Sequence, residues 1–220
     1  MNTPSSRQGN LTRYIVYLVL YLIVIGVKKL ALLNDHVNKI GYFFFLLCAL
    51  FTLYFYIRQF NREQRFFEKK PTMPLLADYG FIVGVSILVI LGRVFVSYLQ
   101  AKGSIPLMSF QVIYQKAESN LLFWFLIFST GLLLPAMQVY LTTGFFFNYG
   151  FRAQNMASGI AGIICSGFFY GILNFQASFS LFILNSLYGM LFAWSYLYSQ
   201  RIVMPIYLAI LNGIFMVILA

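Results

Sequence analysis

Side chains able to carry acid–base or metal chemistry are scarce here, and their positions decide what chemistry remains. The one histidine, His36, falls between the first two apolar runs, and a lone loop histidine is more often inert than a ligand. The two cysteines, Cys48 and Cys165, lie inside apolar runs, where thiols behave as small buried hydrophobes. That pattern allows no secreted disulfide framework. From Leu121 to Ala220 there is no carboxylate at all. A zinc site needs clustered His, Cys or acidic ligands, and general acid–base catalysis needs a group that exchanges a proton near neutrality. The expectation is therefore no metal, no cofactor and no acid–base pair in that half. Proton-coupled transport is disfavoured on the same ground. What remains is a set of neutral amides, Gln138, Asn174, Asn185 and Asn212, which could line an interior polar pocket. Arg93 is the one charge inside an otherwise apolar run. An ionisable residue at membrane depth is a functional candidate by default, but Arg93 also lies near enough to the end of its run to snorkel or to pair structurally.

The elements that must position these residues are membrane spans. The chain has 220 residues, of which 61% are hydrophobic, 20% aromatic and only 9% charged. A soluble domain carries about 25% charged residues, whereas a lipid-facing surface removes the need for a charged skin. Strands are disfavoured, because the runs are long and continuously apolar and an open sheet edge cannot be satisfied in lipid. The expected fold is an all-α, polytopic transmembrane bundle of about seven spans. They are placed at 13–33, 40–57, 79–99, 121–147, 156–173, 181–198 and 202–220. In the first span Lys28 and Lys29 must snorkel. The first span follows Arg7 and Arg13 as a signal peptide would, but no small-residue cleavage site follows, so it reads as an uncleaved span. The fourth run is too long for a perpendicular span and must tilt or kink. The turn between the fifth and sixth spans is placed at "NFQASFS", Asn174 to Ser180.

Basic residues set the expected orientation. Nine of them (Arg7, Arg13, Arg58, Arg62, Arg65, Lys69, Lys70, Arg152 and Arg201) fall on one side and five (Lys28, Lys29, Lys39, Lys102 and Lys116) on the other. The positive-inside rule makes the first side, with the N-terminus, cytoplasmic. The net charge of +10 thus reflects topology, and with no basic–aromatic interleaving on a polar face it does not indicate nucleic acid. Small residues at four-residue spacing recur at Gly80/Gly84, Gly167/Gly171 and Gly189/Ala193, and read as helix-packing faces, with a homodimer face as the alternative.

The last four spans resemble the CPBP family of CAAX proteases and bacteriocin-processing enzymes, also called the Abi family. In "LLLPAMQVYLTTGFFF" the Pro and Gly144 frame a first motif whose two glutamates would be Gln138 and Val139 and whose arginine would be Thr143. "SGFFYGILNF" is similar to a second motif, with Tyr170 as its aromatic and Asn174 in place of its histidine. "LYGMLFAWSYLYSQRIVMPIYLAILNG" resembles the third region, with Ala209 where a histidine belongs, Gly213 where an asparagine belongs, and Asn212 one position early. The resemblance divides the chain into 1–120, a three-span region with a cytoplasmic loop at 58–77, and 121–220, a four-span core. The family's motif residues converge, whereas in the topology above Gln138 lies toward the cytoplasm and Asn174 at the outer end of its span; a tilt or a shifted turn is then needed.

In active relatives the glutamates and histidines are thought to activate water. Amides cannot act as that base, and Ala209 has no polar atom. The resemblance thus implies a degenerate member, a pseudoprotease of a bacterial cell membrane that binds and regulates another membrane or cell-envelope protein or acts in bacteriocin self-immunity. The alternative is a small transporter or channel component. An active intramembrane endopeptidase is the third reading. Expected partners are the lipid bilayer and a membrane protein.

Overall fold

A computed structural model describes residues 7–32, 37–63, 79–151 and 155–220. His36, Arg65, Lys69, Lys70, Arg152 and most of the expected loop 58–77 lie outside these residues. The described residues form helices α1 (Arg7–Ala31), α2 (Lys39–Glu63), α3 (Tyr79–Ala101), α4 (Ser109–Lys116), α5 (Asn120–Gly150), α6 (Met156–Leu173), α7 (Phe179–Ser199) and α8 (Val203–Ile218). Among the described residues there is no strand. Six helices are long and apolar enough to cross a membrane, and α8, with 16 residues, is a shorter apolar helix. The chain is a multi-pass helical membrane protein.

The structure moves several expected boundaries. Helix α2 continues six residues past Ile57, to Glu63, because the extra turns are anchored by that carboxylate. Arg13 Nη1 (2.6 Å), Gln59 Nε2 (2.5 Å) and the hydroxyls of Tyr17 and Tyr149 all donate to Glu63. Where a polar loop was expected before Asn120, helix α4 forms. It is too short to span and buries only Phe110 and Gln111, so it leaves no apolar run to find. The turn after α6 ends at Ser178, whose Oγ accepts from the Leu181 amide and starts α7.

Helix α5 is the axis of the bundle. Of its most apolar window 67% is buried, against 22% in α1 and α2. The expected kink takes the form of two π-helical stretches, Ile127–Leu133 and Tyr140–Phe145, around an α-helical Leu134–Val139. Pro135 has no N–H to give the carbonyl of Gly131, which is one reason for the ladder to loosen there. That carbonyl instead faces α8: a Cβ on Gly213 would sit 2.5 Å from it. Only glycine allows the approach.

Two interfaces hold the rest. A cluster of Tyr17, Tyr56, Phe60, Tyr140 and Phe145 joins α1, α2 and α5, with the Tyr17 and Phe145 rings 4.3 Å apart. Helices α6 and α7 pack through glycine. A Cβ on Gly167 would meet Met190 Cγ at 2.2 Å, one on Gly171 would meet Ser186 Oγ at 2.2 Å, and one on Gly189 would meet Tyr170 Cβ at 2.5 Å. These faces are internal, so the homodimer alternative does not hold for them. Gly80 and Gly84 have open space above them on the exposed side of α3. The reading of both thiols as buried is also corrected: Cys48 is half-buried but Cys165 is exposed on the outer face of α6. An apolar thiol is equally at home against lipid.

Candidate functional site

A cavity of about 410 Å³ opens where α1, α5, α6, α7 and α8 converge, walled on one side by the segment leading into α4. Gln138 comes from the α-helical stretch between the two π segments, a geometry that recurs at functional positions. It is buried, and its Nε2 donates to Tyr21 Oη at 2.6 Å and to Asn174 Oδ1 at 3.1 Å. Asn174 caps the C-terminus of α6; its Nδ2 donates to the carbonyl of Tyr170 (3.0 Å), and its own carbonyl receives Asn185 Nδ2 from α7 at 3.5 Å. Asn212, on α8, is buried with no partner for Oδ1. All four amides line the cavity, with Tyr170 and Gly213.

The vertical mismatch between Gln138 and Asn174 closes for a geometrical reason. Helix α5, at 31 residues, is much longer than α6, at 18. At about 1.5 Å per residue, α5 outreaches α6 by roughly 20 Å. The α6–α7 turn therefore stops beside the middle of α5 and is roofed by the chain before α4. There the Ser109 amide and hydroxyl both donate to Gln176 Oε1, at 2.7 and 2.8 Å.

Other residues singled out from the sequence do not reach the cavity. Val139 and Ala209 are fully buried in the packing around α5 and α8. Thr143 points at α6, where its Oγ1 lies 3.4 Å from Ser166 Oγ. Arg93 does not snorkel. It is buried, its guanidinium lies 5.8 Å from the centre of the Tyr188 ring, Nη2 approaches Met108 Sδ at 3.9 Å, and Nε has no partner. It stands behind the cavity wall, since Met108 lines the cavity from the other side.

Two residues of the site were not singled out from the sequence as lining a pocket. Tyr21 is one aromatic among many in α1, yet it is completely buried and holds Gln138. Lys28 was expected to snorkel; instead Nζ turns inward and donates to Thr130 Oγ1 at 2.6 Å. Spacing offered one hint: Tyr21, Ile25 and Lys28 fall on one helix face, and all three line the cavity. Among the described residues, no group of three His, Cys, Asp or Glu side chains is gathered to hold a metal ion. The cavity offers hydrogen-bonding amides and lysine charge.

Residues 120–215 match the family model described as Type II CAAX prenyl endopeptidase Rce1-like. No curated protein and no solved structure matches the chain.

Proposed function

Starting from a chain whose residues 120–215 belong to the Rce1-like, CPBP family, we propose that it is a non-catalytic member that binds and regulates another membrane or cell-envelope protein in a bacterial plasma membrane. Bacteriocin self-immunity is one setting for such regulation. The observation that carries this reading is the 3.1 Å hydrogen bond from Gln138 to Asn174. By the family resemblance these residues hold the places of a glutamate and a histidine. A family site would keep its position between the helices, but its two facing groups are amides engaged with each other and with Tyr21. Neither takes a proton from water near neutral pH, so neither serves as the base of hydrolysis. What is left is a pocket for recognition.

A transport path fits less well. Beyond Gln138, the α5 side chains Val139, Leu141, Phe145 and Phe147 are fully buried apolar groups. The buried hydroxyls past it, Thr142 and Thr143, are engaged by the Gln138 carbonyl and by Ser166 Oγ and do not line the cavity, which favours a blind pocket.

The test is direct. Purified full-length protein in proteoliposomes is incubated with a prenylated peptide bearing a CAAX C-terminus, beside a Gln138→Ala/Asn174→Ala variant, and products are read by mass spectrometry. The expected result is no cleavage by either. Cleavage by the wild type that the variant lacks would overturn the reading.

A further inference from the structure

We propose that the cavity beside Gln138 holds the phosphate group of an anionic membrane lipid, with Lys28 as its inner cation and Lys29 at the rim. The proposal goes beyond the regulatory reading and stands whether or not Gln138 and Asn174 are catalytically silent.

Charge is the first observation. Lys28 and Lys29 both line the cavity, and no carboxylate does. Among the described residues the one ion pair is Arg13–Glu63, on the side of the bundle where α1 begins. An ammonium has three N–H donors, and within the described residues Lys28 uses one, on Thr130 Oγ1. Arg93 adds to the field from behind the Met108 wall, buried and without an anionic partner among the described residues. Cations in so apolar a setting are costly unless an anion reaches them. A ligand anion would satisfy the two donors on Lys28. Asn212 also lines the cavity, and its side-chain NH2 group carries two further N–H donors.

Shape and depth point to a lipid as the source of the phosphate. The volume of about 410 Å³ lies within the range of small-ligand sites, roughly 300–1,000 Å³. Ile25, Leu32, Leu134 and Met216 make an apolar side to the cavity that suits the start of an acyl chain. Lys28 and Lys29 sit in the last turn of α1, and Lys29 is exposed. That is headgroup depth, where a phosphate can be drawn from the bilayer without leaving it.

The experiment uses the full chain in nanodiscs of phosphatidylcholine with a minority of phosphatidylglycerol, released into detergent and read by native mass spectrometry. The wild type is expected to retain phosphatidylglycerol in preference to phosphatidylcholine. Lys28→Gln should cut that preference by roughly fivefold, the weight of one basic residue at a membrane surface. Lys28→Arg should keep it, and excess inorganic phosphate should not release the lipid. Should Lys28→Gln fail to accumulate, Lys29→Gln, exposed at the rim, is expected to show a smaller loss in the same direction. Equal retention of the two lipids, indifference to both lysine substitutions, or binding of inorganic phosphate without any retained lipid would each overturn the proposal. Peptide cleavage is not read in this experiment, so its failure is separate from failure of the regulatory reading.

Discussion

Arg13 and Glu63 lie fifty residues apart in sequence and meet at 2.6 Å, closing the start of α1 onto the end of α2. The two partners are not equivalent. Arg13 is 41% exposed and Glu63 only 3%. Water can replace the carboxylate for Arg13, whereas Glu63 is the buried acceptor on which the Tyr17, Gln59 and Tyr149 side chains converge.

Substitution should expose that asymmetry. Arg13→Ala removes one exposed partner and is expected to cost about 0–1 kcal/mol. Glu63→Ala removes the acceptor shared by Tyr17, Gln59 and Tyr149 and is expected to cost more, about 1–3 kcal/mol, the range for leaving buried hydrogen-bonding groups unpaired. Thermal unfolding in mild detergent, followed by size-exclusion chromatography, measures both. Similar melting temperatures for the two variants would show that Glu63 is not the hub.

A second prediction concerns the glycines. Gly171→Leu and Gly189→Leu place side chains where Ser186 Oγ and Tyr170 Cβ already stand. Overpacking of this kind costs about 1–3 kcal/mol, and more where backbone must move. Both variants should accumulate poorly. Gly84→Leu, facing open space on α3, should accumulate like the wild type. If a partner helix docks on that face, co-purification of the partner will drop while the protein level holds. Normal accumulation of Gly171→Leu would contradict the α6–α7 packing.

A third prediction tests the amide pair. Gln138→Ala removes the donor to Tyr21 Oη and to Asn174 Oδ1 inside the bundle. Leaving buried polar groups unpaired costs about 1–3 kcal/mol, so the melting temperature should fall. Asn185→Ala removes only a 3.5 Å contact and should fall less. The reverse order would mean that Gln138 is not the centre of the network.

Orientation is open to chemistry. The positive-inside rule predicts a cytoplasmic location for the side with the N-terminus. Asn61 is exposed near the end of α2 on that side. An Asn61→Cys variant lacking Cys48 and Cys165 should resist an impermeant maleimide in intact cells and react after permeabilisation. Cys165 must be removed because it is exposed. Labelling of intact cells would invert the topology.

Much of the helix layout was legible because hydropathy and length determine spans: Met156–Leu173 appears where the apolar run begins and ends. The Glu63 anchor was not legible, since its donors come from three separate helices and no local pattern joins them. Lys28 misled for a similar reason. At a helix end a lysine usually snorkels, and only the position of Thr130 on another helix turns it inward. The four amides could be suspected of facing inward because lipid offers them no partners. Which of them touch depends on the unequal lengths of α5 and α6, and the two π-helical stretches of α5 have no signature beyond Pro135.

Arg93 is the last case, and the sign of its effect is informative. A buried guanidinium with an unpartnered Nε and only a methionine sulfur and a tyrosine ring for company is a cost to the fold. Replacing buried charge by apolar groups of similar size is often neutral or stabilising, by about 1–4 kcal/mol. Met follows the stem of Arg and can keep its contacts with Met108 and Tyr188. Arg93→Met is therefore expected to unfold at the same temperature as the wild type or higher when phosphatidylcholine is the only lipid. Its preference for phosphatidylglycerol should weaken, because the positive field behind the cavity wall is gone. A variant that is markedly less stable in phosphatidylcholine would mean that Arg93 holds the fold together through contacts stronger than those between Arg93, Met108 and Tyr188. One that is stable with an undiminished lipid preference would confine the anion's cation to the lysines of α1.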